Sequence, residues 1–121
     1  MVLRPDQFTE KAQEVIGASQ EMVRKMRHSQ WDVEHILLAL LEQEEGVPAE
    51  ILTRLGVPVE PLKEALRKAL QASPQSAFES PQIYVTPRAA RLLDNAKEEA
   101  DRLKDEFIGT EHLLVAATME E

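Results

Sequence analysis

The chain has 121 residues, a formal net charge of −8 and no cysteine. This length predicts one domain, and the absence of cysteine excludes disulfides, a thiolate nucleophile and zinc–thiolate sites. The acidic balance argues against nucleic acid as a partner, because phosphate binding needs a basic face. No apolar run is long enough to span a membrane and no signal peptide is recognisable, so we expect no membrane partner and a cytoplasmic location.

Six helices are predicted, and strands are not expected because β-branched and aromatic runs are scarce. Capping residues and apolar residues at helical spacing define them. They run from Thr9 to Met26, from Val33 to about Gln43, around Pro48 to Gly56, from Pro61 through Leu70, from Thr86 through Leu103, and from Gly109 through Met119. The second helix is apolar on nearly every side, so it should be the centre of the core, with Leu37 and Leu114 fully buried.

An internal repeat organises the chain. When the sequence is shifted so that Thr9 overlies Thr86, it matches itself without a gap as far as Glu44, and Glu34-His35 overlies Glu111-His112. We therefore predict an all-α fold, a duplicated four-helix unit in a pseudo-twofold closed bundle. The single domain over 1–121 then contains a first repeat (8–72), a linker (73–85) and a second repeat (86–121) that is expected to be incomplete.

Four segments carry a resemblance to a known family. They are Phe8–Ala12, Val33–Leu41, Val85–Ala89 and Ile108–Leu114. The chain resembles, over essentially its whole length, the N-terminal domain of Clp-type AAA+ unfoldases of the ClpB and ClpC group. Asp32-Val33 stands where ClpC-like members have Gly-Thr, which leaves ClpB-like and ClpC-like open.

The resemblance implies a binding domain with a role in stress response, disaggregation and protein quality control. Its partners would be unfolded or aggregated substrate proteins, adaptor proteins and the AAA+ ring of a parent hexamer. The chain contains no phosphate loop, so the ATPase modules of the family are absent from it. We expect no catalytic residue, no cofactor and no enzymatic activity, because nothing pairs a nucleophile with a base. The alternative is a structural or oligomerisation module with no direct substrate contact.

Seven residues are predicted to bind a substrate or an adaptor: Thr9, Lys11, Glu34, Thr86, Arg88, Asp105 and Glu111. Each repeat has a threonine-capped helix start and a cation, which suit a phosphate or carboxylate, and a glutamate, which suits a guanidinium. We predict one competent site from Thr86, Arg88 and Glu111, and a second site from Thr9, Lys11 and Glu34 that Asp32 weakens. The resemblance to ClpC-like members implies phosphoarginine as a ligand. The resemblance to ClpB-like members implies a patch that includes Thr9, Asp105 and Glu111.

Simpler roles compete with each of these assignments. The threonines act as N-caps, and Glu34 and Glu111 stabilise the positive ends of their helices. His35 and His112 are interpreted as buried or half-buried structural residues rather than metal ligands, since the chain has no His-Glu-x-x-His spacing. We therefore expect no metal site.

Overall fold

The computed structural model describes residues 5–43, 46–73, 75 and 83–119. Within them a 3-10 turn at Pro5–Gln7 precedes six helices. These are α1 (Glu10–Lys25), α2 (Val33–Glu42), α3 (Val47–Arg54), α4 (Val59–Gln71), α5 (Pro87–Arg102) and α6 (Thr110–Thr118). The predicted all-α class is confirmed, while most of the predicted linker (73–85) lies outside the described residues. Among the described residues, none of the helices combines the length and apolarity needed to cross a bilayer.

The predicted helix caps form as expected. The hydroxyl oxygen of Thr9 accepts from Ala12 N at 3.1 Å, and that of Thr86 accepts from Ala89 N at 3.1 Å. Each threonine thereby satisfies one of the backbone donors that a helix start leaves unpaired. The third helix ends before Gly56, whose φ of +82° is a left-handed conformation that glycine adopts without steric cost.

Two short strands were not predicted. Strand β1 (Gln30–Trp31) pairs in parallel with β2 (Tyr84–Val85), and an isolated parallel bridge joins Phe8 to Ile108. Two residues are too few to show the alternation by which a strand is recognised in a sequence. The two pairings are equivalent under the internal repeat, because Trp31 corresponds to Ile108 and Phe8 to Val85. Each repeat therefore ties its lead-in segment to the other repeat, which is the pseudo-twofold arrangement that the duplication predicted.

Helix α2 lies at the centre of the core, as predicted. Ile36 and Leu40 are fully buried, and they pack with the apolar faces of α1, α5 and α6 in one hydrophobic cluster. The expectation for Leu114 is confirmed, since only 6% of it is exposed. The expectation for Leu37 is wrong, because it packs against the cluster from its edge and is only partly buried. Ile36, rather than Leu37, is the central aliphatic residue of α2.

Helices α1 and α5 end in the same way. Arg27 and Lys104, which correspond under the repeat, both adopt positive φ, at 56° and 61°. The N–H groups of the following residues, His28 and Asp105, each return to a carbonyl near the end of the helix at 2.9 Å. This is the Schellman arrangement, and it places His28 and Asp105 in equivalent positions. Leu103, the last residue of the predicted fifth helix, is 51% exposed because α5 has already ended.

Trp31 closes one end of the core. Its side chain is 3% exposed, and its indole N–H donates to the hydroxyl of Ser19 at 2.9 Å. Ser19 is itself buried and donates to the Ile16 carbonyl at 2.7 Å. Trp31 is therefore part of the core, and a buried serine satisfies its indole N–H.

Candidate functional site

Four side chains meet where the starts of α2 and α5 lie side by side. The Arg88 guanidinium donates to Asp32 Oδ2 at 2.9 Å and to Glu34 Oε1 at 2.6 Å. The Thr86 hydroxyl donates to Asp32 Oδ1 at 2.8 Å. We call Asp32, Glu34, Thr86 and Arg88 the Arg88 cluster. It joins a cap and a cation of the second repeat to two carboxylates of the first.

The predicted grouping of site residues within each repeat is therefore wrong. Arg88 pairs with Glu34 of the first repeat, whereas it was expected to act with Glu111 of its own repeat. The cause is the strand pairing, in which Thr86 N donates to Trp31 O at 3.1 Å and brings the start of α5 beside the start of α2. Sequence spacing gives the position of each site residue along its helix. Which residue it pairs with depends on how the two repeats pack against each other.

The contacts within the Arg88 cluster favour the charged forms of Asp32 and Arg88. Burial alone would raise the pKa of the Asp32 carboxyl, but bonds from Arg88, from Val33 N and from Thr86 together lower this pKa. Hydrogen bonds to Asp32 and Glu34 raise the pKa of Arg88. Charge-assisted bonds of this kind are stronger than neutral ones. The cluster thus acts as a paired contact between the repeats, and its cation is already engaged by two carboxylates.

The equivalent region on the other side of the pseudo-twofold axis has a different composition. Thr9 N donates to Ile108 O at 3.0 Å, which brings the start of α1 beside the start of α6. The position that corresponds to Asp32 is Gly109, which offers no carboxylate to Thr9. Lys11 forms an ion pair with Glu14 of its own helix at 3.7 Å, and 70% of its side chain is exposed.

Two half-exposed carboxylates accompany these residues. The side chains of Asp105 and Glu111 are 49% and 50% exposed. We call Thr9, Lys11, Asp105 and Glu111 the Thr9–Glu111 face. These acidic side chains are more exposed than those of Asp32 and Glu34 in the Arg88 cluster, which are 24% and 28% exposed. The structure thus joins Thr86 and Arg88 to Glu34 by direct contacts, and it places the helix start that carries Thr9 and Lys11 beside the start of the helix that carries Glu111.

His112 holds the Thr9–Glu111 face in place from below. It is 2% exposed, and its Nδ1 accepts from Gly109 N at 2.8 Å. The proton of a neutral ring therefore lies on Nε2, which donates to Asp105 Oδ2 at 2.8 Å. Glu111 Oε1 lies 3.5 Å from Nδ1. The interpretation of His112 as a buried structural residue is confirmed, and it orients Asp105.

His35 makes the equivalent contacts in the first repeat. It is 3% exposed, and its Nδ1 accepts from Asp32 N at 3.0 Å. Its Nε2 then donates to Nδ1 of His28 at 2.9 Å, so His28 stands where Asp105 stands in the second repeat. The structural role predicted for His35 is confirmed, but His28 was missed. The signal was present in the repeat, which aligns His28 with Asp105, each ahead of a buried histidine.

The His28–His35 pair is a neutral buried unit. Burial lowers the pKa of His28, despite an opposing effect of the Leu70 carbonyl. Burial, followed by the proximity of His28, lowers the pKa of His35 to about 4. Among the described residues, no group of three or more histidine, aspartate or glutamate side chains is arranged to hold a metal ion.

Comparisons with known proteins agree with this architecture. Residues 7–121 match the family model described as the Clp repeat N-terminal domain. The chain is similar to the chaperone protein ClpB of Oceanobacillus iheyensis, with 35% identity over 93% of this chain and 14% of that protein. It is 40% identical to ClpB 1 of Synechocystis over 92% of this chain and 12% of that protein. The chain thus spans about one seventh of these relatives or less.

Solved structures share the fold. The Hsp104 N-terminal domain from Candida albicans has a TM-score of 0.86 with 19% identity, over 94% of this chain and 75% of that one. A complex of a ClpV N-domain with a VipB peptide has a TM-score of 0.79 with 16% identity, over 95% and 69%. Because the matched region is an N-terminal repeat domain, the ATPase modules of such relatives lie outside this chain. The chain belongs to the Clp repeat N-terminal domain family.

Proposed function

We propose that this domain binds unfolded or aggregated proteins, or adaptor proteins, for an ATP-driven Clp unfoldase, and that the Thr9–Glu111 face makes the contact. The observation that carries the proposal is the difference between the two equivalent regions. Arg88 is paired with two carboxylates, whereas Asp105 and Glu111 are half exposed and Lys11 is paired with Glu14 of its own helix. The ClpV N-domain complex with a VipB peptide supports peptide binding by this fold.

The charges of the Thr9–Glu111 face suit a partner that carries a basic group. Asp105 and Glu111 offer two carboxylates, and the chain as a whole has a net charge of −8, which favours approach of positively charged segments. Lys11 and the capped start of α1 could additionally hold an acidic group on the same ligand, such as the phosphate of a phosphoarginine. Thr86, Arg88 and Glu34 form a weaker candidate, because a ligand there must first compete with the existing ion pairs.

The proposal is tested by binding of fluorescein-labelled unfolded casein, followed by fluorescence anisotropy. The double variant Asp105→Asn, Glu111→Gln should weaken binding at least about tenfold, since it removes both exposed carboxylates. Glu60→Gln, an exposed carboxylate on α4, is the matched control and should bind as the unaltered domain does. Equal binding by all three proteins would exclude the Thr9–Glu111 face as the contact surface.

The wider role follows from the family. We propose that the domain serves a cytoplasmic hexamer in stress response and disaggregation by delivering captured proteins to its AAA+ ring. Fusing the domain to the ring of a ClpB relative in place of that protein's own N-domain should restore unfolding of a casein substrate. The Asp105→Asn, Glu111→Gln version of the fusion should restore less.

One observation favours the alternative of an oligomerisation module. Apolar side chains of the second repeat are exposed by 41–52%, namely Leu103, Phe107, Val115 and Met119. Exposed apolar patches mark association surfaces in many proteins. Multi-angle light scattering over a wide concentration range tests this. A concentration-dependent dimer that Val115→Glu abolishes would favour it, and a constant monomer mass would exclude it.

A further inference from the structure

A second polar cavity lies in the first repeat, apart from the Thr9–Glu111 face. Its volume is about 280 Å³, and it opens between the turn after α1, the start of α2 and the end of α4. One water needs only about 10–15 Å³ of such volume, so the cavity can hold a side chain. It is lined by His28, Ser29, Gln30, Asp32, Glu34, His35, Leu70 and Ser73.

The floor of this cavity presents a hydrogen-bond donor of fixed polarity. Asp32 N–H occupies Nδ1 of His35, so His35 can only donate through Nε2 to His28. His28 therefore accepts at Nδ1 and carries its proton on Nε2. That Nε2 is buried without a hydrogen-bond partner among the described residues, in a side chain that is 3% exposed. Leaving a buried donor unpaired costs free energy, so a ligand that supplies an acceptor gains affinity there.

The backbone acceptor beside His28 is the Leu70 carbonyl, whose proximity acts to raise the pKa of His28. This carbonyl accepts from Ser73 N at 3.1 Å, and it forms no hydrogen bond of normal geometry with His28 Nε2. A bound group can therefore supply the acceptor that Nε2 lacks. In the second repeat the equivalent position is Asp105, an acceptor rather than a donor. The two repeats thus differ in polarity at this point, and only the first carries an unpaired donor.

The rest of the lining restricts the bound group further. Asp32 and Glu34 contribute carboxylates, and Arg88, which pairs with both, does not line the cavity. A carboxylate ligand would meet two like charges. An ammonium or guanidinium would suit the carboxylates but bring no acceptor for His28. A primary carboxamide satisfies both the His28 donor and the two carboxylates, because its oxygen accepts a hydrogen bond and its NH₂ group donates hydrogen bonds.

We infer that this cavity binds a primary carboxamide, the side chain of glutamine or asparagine in a bound peptide, with its oxygen on His28 Nε2 and its amide NH₂ on the Asp32 and Glu34 carboxylates. This site is separate from the Thr9–Glu111 face. If the cavity binds no carboxamide, the proposed function is unaffected, because that function is tested with unfolded casein and the cavity is tested with small amino-acid derivatives.

The test is an NMR titration of the domain, labelled with ¹⁵N-histidine. The ligands are the N-acetyl, N-methylamide derivatives of glutamine, glutamate and lysine. The N-methylamide ends avoid a second primary amide. The glutamine derivative should shift the His28 Nε2 resonance saturably, and the other two should bind at least about tenfold more weakly. Tighter binding of the lysine derivative would overturn the inference in favour of a cation site. No saturable shift with any derivative would overturn it in favour of water alone.

Two variants locate the binding. His28→Asp keeps an acceptor for His35, as Asp105 does for His112, but removes the Nε2 donor, so binding of the glutamine derivative should be lost. Ser73→Phe, at the end of α4, should lose it by filling the cavity without touching the histidine pair. Lys97→Ala, a substitution of an exposed side chain on α5, is the control and should bind normally. Undiminished binding in the folded Ser73→Phe protein would show that the derivative binds elsewhere.

Discussion

The buried histidine pair predicts a loss of stability in mild acid. The pKa of His35 is lowered from 6.5 to about 4 by burial and by its neighbour His28. Below an unfolded-state pKa of about 6.5, the unfolded chain therefore binds more protons than the folded one. The stabilising effect is complete above that pKa and is lost as the pH falls towards about 4. With these two values, linkage gives a loss of about 2 kcal/mol between about pH 7 and about pH 5.

The second repeat supplies the variant that tests this. His28→Asp gives His35 a carboxylate partner, as Asp105 is for His112, and a carboxylate favours the charged imidazolium. The pKa of His35 should rise, and the acid-dependent loss should fall to less than about 1 kcal/mol. The other titrating carboxylates are common to both proteins, so they cancel in the difference between the two pH profiles.

The measurement is urea unfolding at a series of pH values, with NMR titration of the histidine rings as a direct readout. Lys11→Ala, a substitution of an exposed side chain, is the control and should follow the unaltered profile. Two results would refute the reasoning. One is titration of His35 near 6.5 in the folded protein, and the other is an unchanged pH dependence of stability in His28→Asp.

Three further substitutions test the packing and the contact between the repeats. Ile36→Ala should cost about 2–5 kcal/mol in urea unfolding and Leu37→Ala clearly less; equal costs would contradict the burial assigned to α2. Arg88→Ala should cost about 1 kcal/mol, and the cost should shrink in high salt; a salt-independent cost would point to lost packing instead. Ser19→Ala should lower the free energy of unfolding by about 1–3 kcal/mol, because it leaves the Trp31 indole N–H unpaired. The emission maximum of Trp31 in the folded variant should be unchanged, which would show that Trp31 stays buried.

Features encoded locally were predictable from the sequence. A threonine three residues ahead of an apolar helical position acts through its immediate neighbours, so the caps at Thr9 and Thr86 follow from spacing alone. The duplication was equally visible, because it preserves caps and core positions together. The pseudo-twofold arrangement then followed from the repeat, since a long repeat can bury its apolar faces only against its copy.

Features that depend on the placement of one repeat against the other were not predictable. Arg88 and Glu34 lie far apart in the sequence, and nothing in the spacing within a repeat indicates that they meet. The partial exposure of Leu37 likewise depends on how its neighbours cover α2. His28 was missed because it is not followed by the apolar pattern that drew notice to His35, although its alignment with Asp105 marked the position.

The reciprocal strand pairings have a consequence for the origin and folding of this domain. Phe8 of one repeat pairs with Ile108 of the other, and Val85 of the second repeat's lead-in pairs in the same way with Trp31. Two separate chains related by a twofold axis would make this isologous contact, each lending its first residues to its mate. The domain is therefore built as a fused, segment-exchanged homodimer. Because each half pairs its lead-in segment with the other, we expect the halves to fold together in one cooperative step, and a permuted chain that begins near residue 76 to retain these pairings.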